Sequence, residues 1–298
     1  MSDADQKAGD RANQRVGPGT VLRTVSGEVL EIEASLCVDI SSTHVGAPFL
    51  ARTASGEYVK VRVYDRRPPF QTVFNQEQSM GRVLTHPNIV KISGRGMFGD
   101  MPFTVCEYFA AGSLFAWRRS RGHLTGPDLL SIATQLASAI DFAHSRGVIH
   151  ENISPRNVWL DSGPGGRVAL GDFGFNTAMA AWGGFWLEWP GGGPPLEYVA
   201  PELLTNSACS GTGATDIYSF GVLLYECAAG EVMFKRSNLE KRIVAKMNED
   251  FPNIRTCRPD VPEQLAARLA QTLSRDPGQR PCSASAVLSG VEEYIARL

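Results

Sequence analysis

The apolar pattern of this chain changes near Gly112, and the change restricts the folds open to it. Before that point, short β-branched stretches between residues 21 and 63 alternate with turn signals such as Ser26-Gly27, which is typical of an antiparallel sheet. Beyond it, residues 127–144 repeat apolar side chains at helical spacing, and the largely apolar residues 216–229 predict a buried helix. A sheet-rich first third with a helical remainder predicts an α+β protein with two lobes.

The sequence pattern also predicts the remaining elements and the domain boundaries. We expect a helix over residues 70–84, strands over 86–107, and helices over 265–273 and 284–298. Residues 1–17 are polar and lack apolar periodicity, which indicates a flexible leader. A single domain is therefore predicted over residues 18–298, with an N-lobe at about 20–108 and a C-lobe at about 109–298. A chain that ends on its last helix suits a free-standing domain.

Composition excludes several classes of function. A net charge of −2 argues against a general binder of nucleic acid or of membrane surfaces. The six cysteines are scattered without a C-x-x-C pair, so we expect reduced thiols rather than disulfides or a zinc site. No apolar run is long enough for a transmembrane helix, and the polar N-terminus is unlike a signal peptide. These features predict a cytoplasmic protein.

Residues 150–157 read His-Glu-Asn-Ile-Ser-Pro-Arg-Asn, and Asp172-Phe173-Gly174 follows them. These two motifs resemble the catalytic loop and the D-F-G motif of protein kinases. The resemblance covers about residues 20–298 and is closest to the serine/threonine kinases of bacterial type. Its other motifs are H-P-N-I-V at 86–90 preceded by Glu77, the hinge Glu107-Tyr108 behind Cys106, A-P-E at 200–202, D-x-x-S-x-G at 216–221, and Arg280-Pro281.

The resemblance implies the two-lobed protein kinase-like fold, with a β-rich N-lobe that carries one helix and a mainly helical C-lobe. It also implies that Glu202 and Arg280 form a buried ion pair. Asp216 is expected to tie the catalytic loop to the helix in which it lies. The motifs retained in this chain are mostly those that build the fold.

The residue expected to act as the catalytic base is replaced. In protein kinases the aspartate of H-R-D accepts the proton of the substrate hydroxyl. The matching residue here is Asn152, and a neutral carboxamide cannot act as a base near pH 7. Ser154 stands in the place of the catalytic-loop lysine. No catalytic residue is therefore predicted.

The groups that hold ATP in this family are also altered. Only the last glycine of G-x-G-x-x-G survives at residues 41–46, and Pro48 replaces the valine that covers the adenine. The lysine of the family's V-A-I-K strand is Arg62 or, in a register shifted by two, Lys60, and both side chains face the cleft. Trp159 stands where a smaller residue lies under the adenine. It either takes the place of adenine between the lobes or packs elsewhere.

Two positions for metal ligands are retained, Asn157 and Asp172. They would hold Mg²⁺ if nucleotide binds, together with Lys60, Arg62 and Glu77 around the phosphates, or they persist only to hydrogen-bond the loop. No cofactor is expected, and ATP with Mg²⁺ is the open alternative.

Control by phosphorylation is lost as well. The arginine of H-R-D is Glu151, whose carboxylate would repel a phosphate, and residues 178–197 contain no Ser, Thr or Tyr. The same segment carries three tryptophans at i, i+4 and i+7, a spacing that gathers them on one helical face. These rings either pack on the C-lobe or anchor a protein partner. The candidates for the interaction are Trp182, Phe185, Trp186 and Trp189.

These losses together predict a catalytically inactive pseudokinase. It would act in signalling as a protein-interaction or regulatory module, with weak or no ATP binding and with no nucleic-acid or membrane partner. The alternative is a weak or atypical ATP/Mg-dependent phosphotransferase or nucleotidyltransferase. A third hypothesis is a receptor in which Lys60 and Arg62 hold an anionic ligand such as a phosphopeptide.

Overall fold

The computed structural model describes residues 16–36, 46–65, 68–121, 124–174, 195–205, 211–233, 238–249 and 251–298. Within these ranges the N-lobe contains β1 (Val21–Arg23), β2 (Val29–Ser35), β3 (Ala47–Thr53), β4 (Tyr58–Val63), α1 (Pro68–Val83), β5 (Ile92–Phe98) and β6 (Met101–Glu107). The C-lobe contains β7 (Gly112–Ser113), α2 (Leu114–Arg121), α3 (Gly126–Ser145), β8 (Val158–Leu160), β9 (Val168–Leu170), α4 (Pro201–Thr205), α5 (Gly213–Ala229), α6 (Leu239–Asn248), α7 (Glu263–Thr272), α8 (Ala284–Leu288) and α9 (Glu292–Ala296).

The N-lobe sheet is antiparallel throughout its described strands, in the order β1-β2-β3-β4-β6-β5. Alternate residues of β2, such as Leu30 and Ile32, are buried in a small apolar core. The sheet curls until Thr24 bridges Gly96 beside β5. A Cβ at Gly96 would lie 2.3 Å from the ring of Phe103, so this closure requires a glycine. The sheet predicted from the alternating pattern is confirmed.

Helix α1 brings a carboxylate to the inner side of this sheet. Gly81 lets the helix approach closely, because a Cβ there would lie 3.2 Å from Ile92. Glu77, four residues earlier on the helix, is turned inward and is only 5% exposed. The helix expected over residues 70–84 is therefore present, and its one buried charge faces β4 and β6.

The C-lobe is organised around α5, whose residues are buried almost along its whole length. Gly221 allows another close approach, since a Cβ there would lie 2.6 Å from Thr272. Helix α3 packs across α5 and begins at a capping box formed by Thr125 and Asp128. The apolar stretch predicted as a buried helix is thus the centre of the lobe.

One buried carboxylate, Asp216, and one partly buried carboxylate, Glu202, hold the loops of the C-lobe to this centre. Asp216 accepts hydrogen bonds from the backbone N–H groups of His150 and Glu151 at 2.8 and 2.7 Å. Glu202 accepts from both terminal nitrogens of Arg280 at 2.7 and 2.8 Å, and the guanidinium side chain is 0% exposed. Both ties expected from the motifs are present.

One expectation from the sequence differs from the structure. Residues 284–298 form two short helices instead of one, because Gly290 takes a left-handed φ of 78° between α8 and α9. At the end of the predicted leader, Val16 packs on the N-lobe core, and the N–H of Gly17 donates to Thr20 Oγ1 at 3.1 Å; residues 1–15 lie outside the described residues. None of the described helices is long and apolar enough to span a membrane.

Replacing Arg280 by methionine should lower the free energy of unfolding by about 3–5 kcal/mol, because Glu202 then remains partly buried without its counter-ion. Urea denaturation measures the change. Arg297→Met is the matched control: its partner Glu293 lies one turn away on the surface, so the loss should stay within about 0.5 kcal/mol. Equal effects of the two substitutions would contradict a structural role for the buried pair.

Candidate nucleotide-binding cleft

Strand β4 points two cations into the space between the lobes. Lys60 and Arg62 are two residues apart and share one face of the strand, opposite Cys106 and Thr104 of β6. They are only 5% and 8% exposed. Buried cations are costly unless they are paired, so the partners of these two side chains determine what the cleft can bind.

Arg62 joins three elements through its guanidinium. One terminal nitrogen donates to Glu77 of α1, and the other donates to Asp172, which follows β9 in the C-lobe. The hydroxyl of Tyr64 donates to the second oxygen of Glu77, which Thr104 Oγ1 also approaches at 3.4 Å. In the register that the structure adopts, Arg62 therefore forms the ion pair that the family's lysine makes, and Lys60 does not.

The neighbouring charges in this network shift the pKa values of Asp172 and Arg62. Burial would raise the pKa of Asp172, but the positive charges of Arg62 and Lys60 outweigh it and hold that pKa below its usual value. Burial would likewise lower the pKa of Arg62, yet Asp172 and Glu77 raise it well above its ordinary value. Both partners therefore remain charged at neutral pH.

Lys60 is held against an aromatic ring. Its Nζ lies 3.9 Å from the centre of the Trp159 ring, a cation–π contact between β4 of the N-lobe and β8 of the C-lobe. Burial, and then the charge of Arg62, lower the pKa of Lys60. The indole Nε1–H of Trp159 is buried and finds no acceptor among the described residues. Trp159 therefore packs inside the cleft, and the chain fills this side of it with its own groups.

A cavity of about 30 Å³ remains behind Lys60, large enough for one or two water molecules. Apolar side chains of α1 and β5, such as Met80 and Ile92, line it together with Cys106. The thiol of Cys106 is buried, and burial raises its pKa, so it is not a reactive thiolate.

The catalytic loop is fixed by backbone hydrogen bonds. His150 donates from Nε2 to the carbonyl of Gly171 at 2.8 Å and accepts the N–H of Asn152 on Nδ1 at 3.2 Å. Its ring contacts Phe173 at 4.3 Å, and burial lowers its pKa, which keeps it neutral. His150 therefore joins the loop to the D-F-G segment without carrying charge.

Asn157 serves the loop itself. Its side-chain amide donates to the carbonyl of Asn152 at 2.7 Å. Asp172, the other candidate metal ligand, has one carboxylate oxygen bound to Arg62. The two residues therefore do not fit a resident Mg²⁺ while Arg62 holds this position. No group of three or more candidate His, Cys, Asp or Glu ligands occurs in the part of the chain described.

Glu151, which replaces the phosphate-gripping arginine, accepts the N–H of Gly211. Burial raises the pKa of Glu151 above the usual value for a carboxyl group, and the hydrogen bond from Gly211 opposes this only in part. Ser154, at the lysine position of the loop, is buried and its hydroxyl has no partner among the described residues. The glycine-loop residues 41–45, and Trp182, Phe185, Trp186 and Trp189, lie outside the described residues.

One contact between the lobes, that of Arg167 with Glu107, was not predicted from the sequence. Glu107, at the end of β6, accepts two hydrogen bonds from Arg167 at 2.7 and 3.0 Å, and Arg167 Nε also donates to the carbonyl of Pro87 at 2.7 Å. The hinge is thereby tied to the hairpin of β8 and β9. Nothing near Arg167 in the sequence signals this role, because its partners lie 60 and 80 residues away.

The fold has a sheet-rich lobe and a helical lobe. Between them, Arg62 of β4 is paired with Glu77 of α1 and with Asp172 of the D-F-G motif. This combination defines the protein kinase class. The family model described as "protein tyrosine and serine/threonine kinase" matches residues 51–288. The chain belongs to this family. The predicted fold is confirmed.

Individual relatives are similar over most of this chain. Serine/threonine-protein kinase PknK of Mycobacterium tuberculosis is 32% identical over 229 residues, which are 74% of this chain and 20% of PknK. CBL-interacting protein kinase 8 of rice (Oryza sativa) is 33% identical over 78% of this chain and 48% of its own length. The probable serine/threonine-protein kinase PknB of Lactococcus lactis is 29% identical over 68% of this chain and 31% of its own length. This chain thus spans about a fifth to a half of these relatives, among which are bacterial kinases.

Replacing Arg62 by methionine should lower the free energy of unfolding by about 3–5 kcal/mol, because the buried carboxylate of Glu77 and the partly buried one of Asp172 lose their counter-ion. The change should also alter the response to acid. The lowered pKa of Asp172 contributes stability that is complete above the unfolded value of about 4 and is lost as pH falls through the folded pKa.

Denaturation curves between pH 3 and 7 test both effects. The variant should lose part of the acid-induced decline in stability that the wild type shows. Arg52→Met, which removes an exposed arginine of the same sheet, should change neither the midpoint at neutral pH nor the acid response. An Arg62→Met protein with wild-type stability would contradict the bridging role of Arg62.

Proposed function

We propose that this member of the kinase family is a pseudokinase, a protein-interaction or regulatory module with weak or no ATP binding. The observation that carries the proposal is the pairing inside the cleft: Arg62 binds Glu77 and Asp172, and Lys60 lies on Trp159. The groups that would hold phosphate, metal and adenine are bound to one another.

On the phosphate and metal side of the cleft, the free energy needed to break an ion pair supports weak binding of nucleotide. A nucleotide with Mg²⁺ needs the carboxylate of Asp172, which Arg62 occupies. Breaking a buried ion pair costs about 3 kcal/mol, and 1.4 kcal/mol changes a dissociation constant tenfold. Binding would therefore be weakened roughly 100-fold if nothing replaced the pair.

On the adenine side of the cleft, the lack of free space also supports weak binding of nucleotide. Lys60 stands in the place of a small alanine, and its ammonium lies on the face of Trp159. A planar base could enter this space only after both side chains move. Trp159 therefore takes the place of adenine in joining the lobes, which is consistent with a closed arrangement that needs no nucleotide.

The chemistry of the loop adds a separate argument. Asn152 cannot accept a proton from a substrate hydroxyl, and Ser154 carries no charge to stabilise the transferred phosphoryl group. Glu151 binds a backbone N–H, where it cannot grip a phosphorylated residue. Positioning alone would have to supply the whole acceleration.

The second candidate is a weak or atypical ATP/Mg-dependent transferase. The ionised Asp172 and the retained Asn157 favour it, as do the names of the relatives, which describe protein kinases. The anion-receptor hypothesis has less support, because Glu77 and Asp172 neutralise Arg62 and leave no free pair of cations.

Thermal unfolding with millimolar ATP and Mg²⁺ separates the first two candidates. We expect no shift for the wild type, whereas a ligand at a hundred times its dissociation constant stabilises the native state by about 2.7 kcal/mol. The double variant Lys60→Ala/Trp159→Leu should gain a shift, because it clears the adenine side while leaving Arg62 and Asp172 in place.

A shift in the wild type would show that nucleotide enters the filled cleft. Phosphoryl or nucleotidyl transfer by the wild type that Asp172→Asn abolishes would establish the transferase and overturn the pseudokinase. Neither result depends on knowing the protein substrate, since transfer to water or to the protein itself is measurable.

The proposed partner is a signalling or regulatory protein in a bacterial cytoplasm, held by the aromatic segment of residues 182–189.

Replacing Trp186 and Trp189 by alanine should reduce capture of partners at least tenfold, because large aromatic side chains dominate many interfaces. Quantitative affinity capture measures it, with thermal unfolding to verify the fold. Tyr58→Ala, an exposed aromatic of the N-lobe, is the matched control and should leave capture unchanged. Loss of the fold in the double variant, or unchanged capture, would contradict an anchoring role.

A further inference from the structure

Helix α6 carries a buried lysine that forms no ion pair with any of the described residues. Lys246 is 3% exposed, and its Nζ donates hydrogen bonds to the backbone carbonyls of Leu196 and Glu197 at 2.8 and 2.7 Å. The ring of Tyr218 on α5 lies 4.9 Å away. The amino group of Lys246 thus fastens α6 to residues 195–198, the stretch that leads into α4.

The carboxylates around this amino group are already paired with arginines. Glu197 pairs with Arg242 at 2.6 Å, and Glu202 pairs with Arg280 at 2.7 Å. Arg275 Nε donates to the backbone carbonyl of Lys246 at 3.3 Å. The charged and titratable groups that face Lys246 from the neighbouring elements are Glu197, Glu202, Tyr218, Arg242, Arg275 and Arg280.

Burial dominates the ionisation of this side chain. It lowers the pKa of Lys246 to about 7, with a further lowering by Arg280 and only partial opposition from Glu197 and Glu202. Two carbonyls and a ring supply partial charges, which do not replace the hydration that an ammonium loses. In water the same group has a pKa of about 10.4.

We propose that Lys246 is a proton-dependent latch: α6 separates from residues 195–198 with the uptake of one proton. In the closed state the amine is enclosed and shared between two carbonyls. In the open state it is hydrated and fully protonated. Acid therefore favours opening from about pH 10 down to about pH 7, and below pH 7 both states carry the proton and the equilibrium is constant.

The latch itself is independent of whether nucleotide binds. Residues 195–198 follow the aromatic segment of residues 182–189 after five residues of sequence, so the latch lies near one end of the segment proposed to bind the partner. Only this consequence depends on the proposed function. A change in pH between 7 and 8 would alter how often this end is released.

Amide hydrogen exchange tests the latch in the intact protein. The N–H groups of Tyr198 and Val199 donate to Pro195 and Leu196 and report opening of this stretch. After correction for intrinsic exchange, their opening constant should fall about fivefold from pH 7 to pH 8 and nearly tenfold from pH 8 to pH 9. Amides of the buried helix α5 are expected to exchange only when the whole lobe unfolds, so they separate local opening from global unfolding.

Variants identify the titrating group. Lys246→Met and Lys246→Gln should make the opening constant of these two amides independent of pH. Lys241→Met removes an exposed lysine of the same helix and should retain the wild-type dependence. An opening constant in the wild type that does not change between pH 7 and 9 would overturn the proposal even if neither Lys246 variant folds. Retention of the dependence in Lys246→Met would overturn it as well.

Discussion

The guanidinium of Arg62 is the contact on which the arrangement of the two lobes depends. A charge this deeply buried is tolerated only when its partners are charged and hydrogen-bonded, and its partners come from α1 and from the segment after β9. Through this one side chain the N-lobe sheet, α1 and the C-lobe are joined. Lys60 on Trp159 and Arg167 on Glu107 add two further contacts between the lobes.

The need to pair buried charged and polar groups also separates the kinase motifs that this chain retains from those it lacks. Asp216 and the Glu202–Arg280 pair bind buried backbone or buried charge, so losing any one of them would leave an unsatisfied group inside the C-lobe. Asn152, Ser154 and Glu151 stand at positions whose usual residues act on substrate or phosphate. This division supports a scaffold more than a slow enzyme.

Much of the fold could be predicted from local pattern. The antiparallel strands follow from alternation and turn residues, and α3 and α5 follow from apolar periodicity and their caps. The break at Gly290 was missed, since an isolated glycine inside a helical pattern is tolerated and does not by itself mark the end of the helix. The latch at Lys246 was also missed, because a lysine on an amphipathic helix usually faces solvent.

The sequence by itself determined the family, the two-lobed architecture and the identity of the replaced residues, because motifs in a fixed order and apolar periodicity are local properties of the chain. It left two registers for the lysine strand and two roles for Trp159. Only the tertiary structure decided which contacts these side chains make: Arg62 reaches Glu77 and Asp172, while Lys60 lies on Trp159. Such pairings join residues that are up to 110 positions apart, and burial of charge, which a linear pattern does not display, selects them.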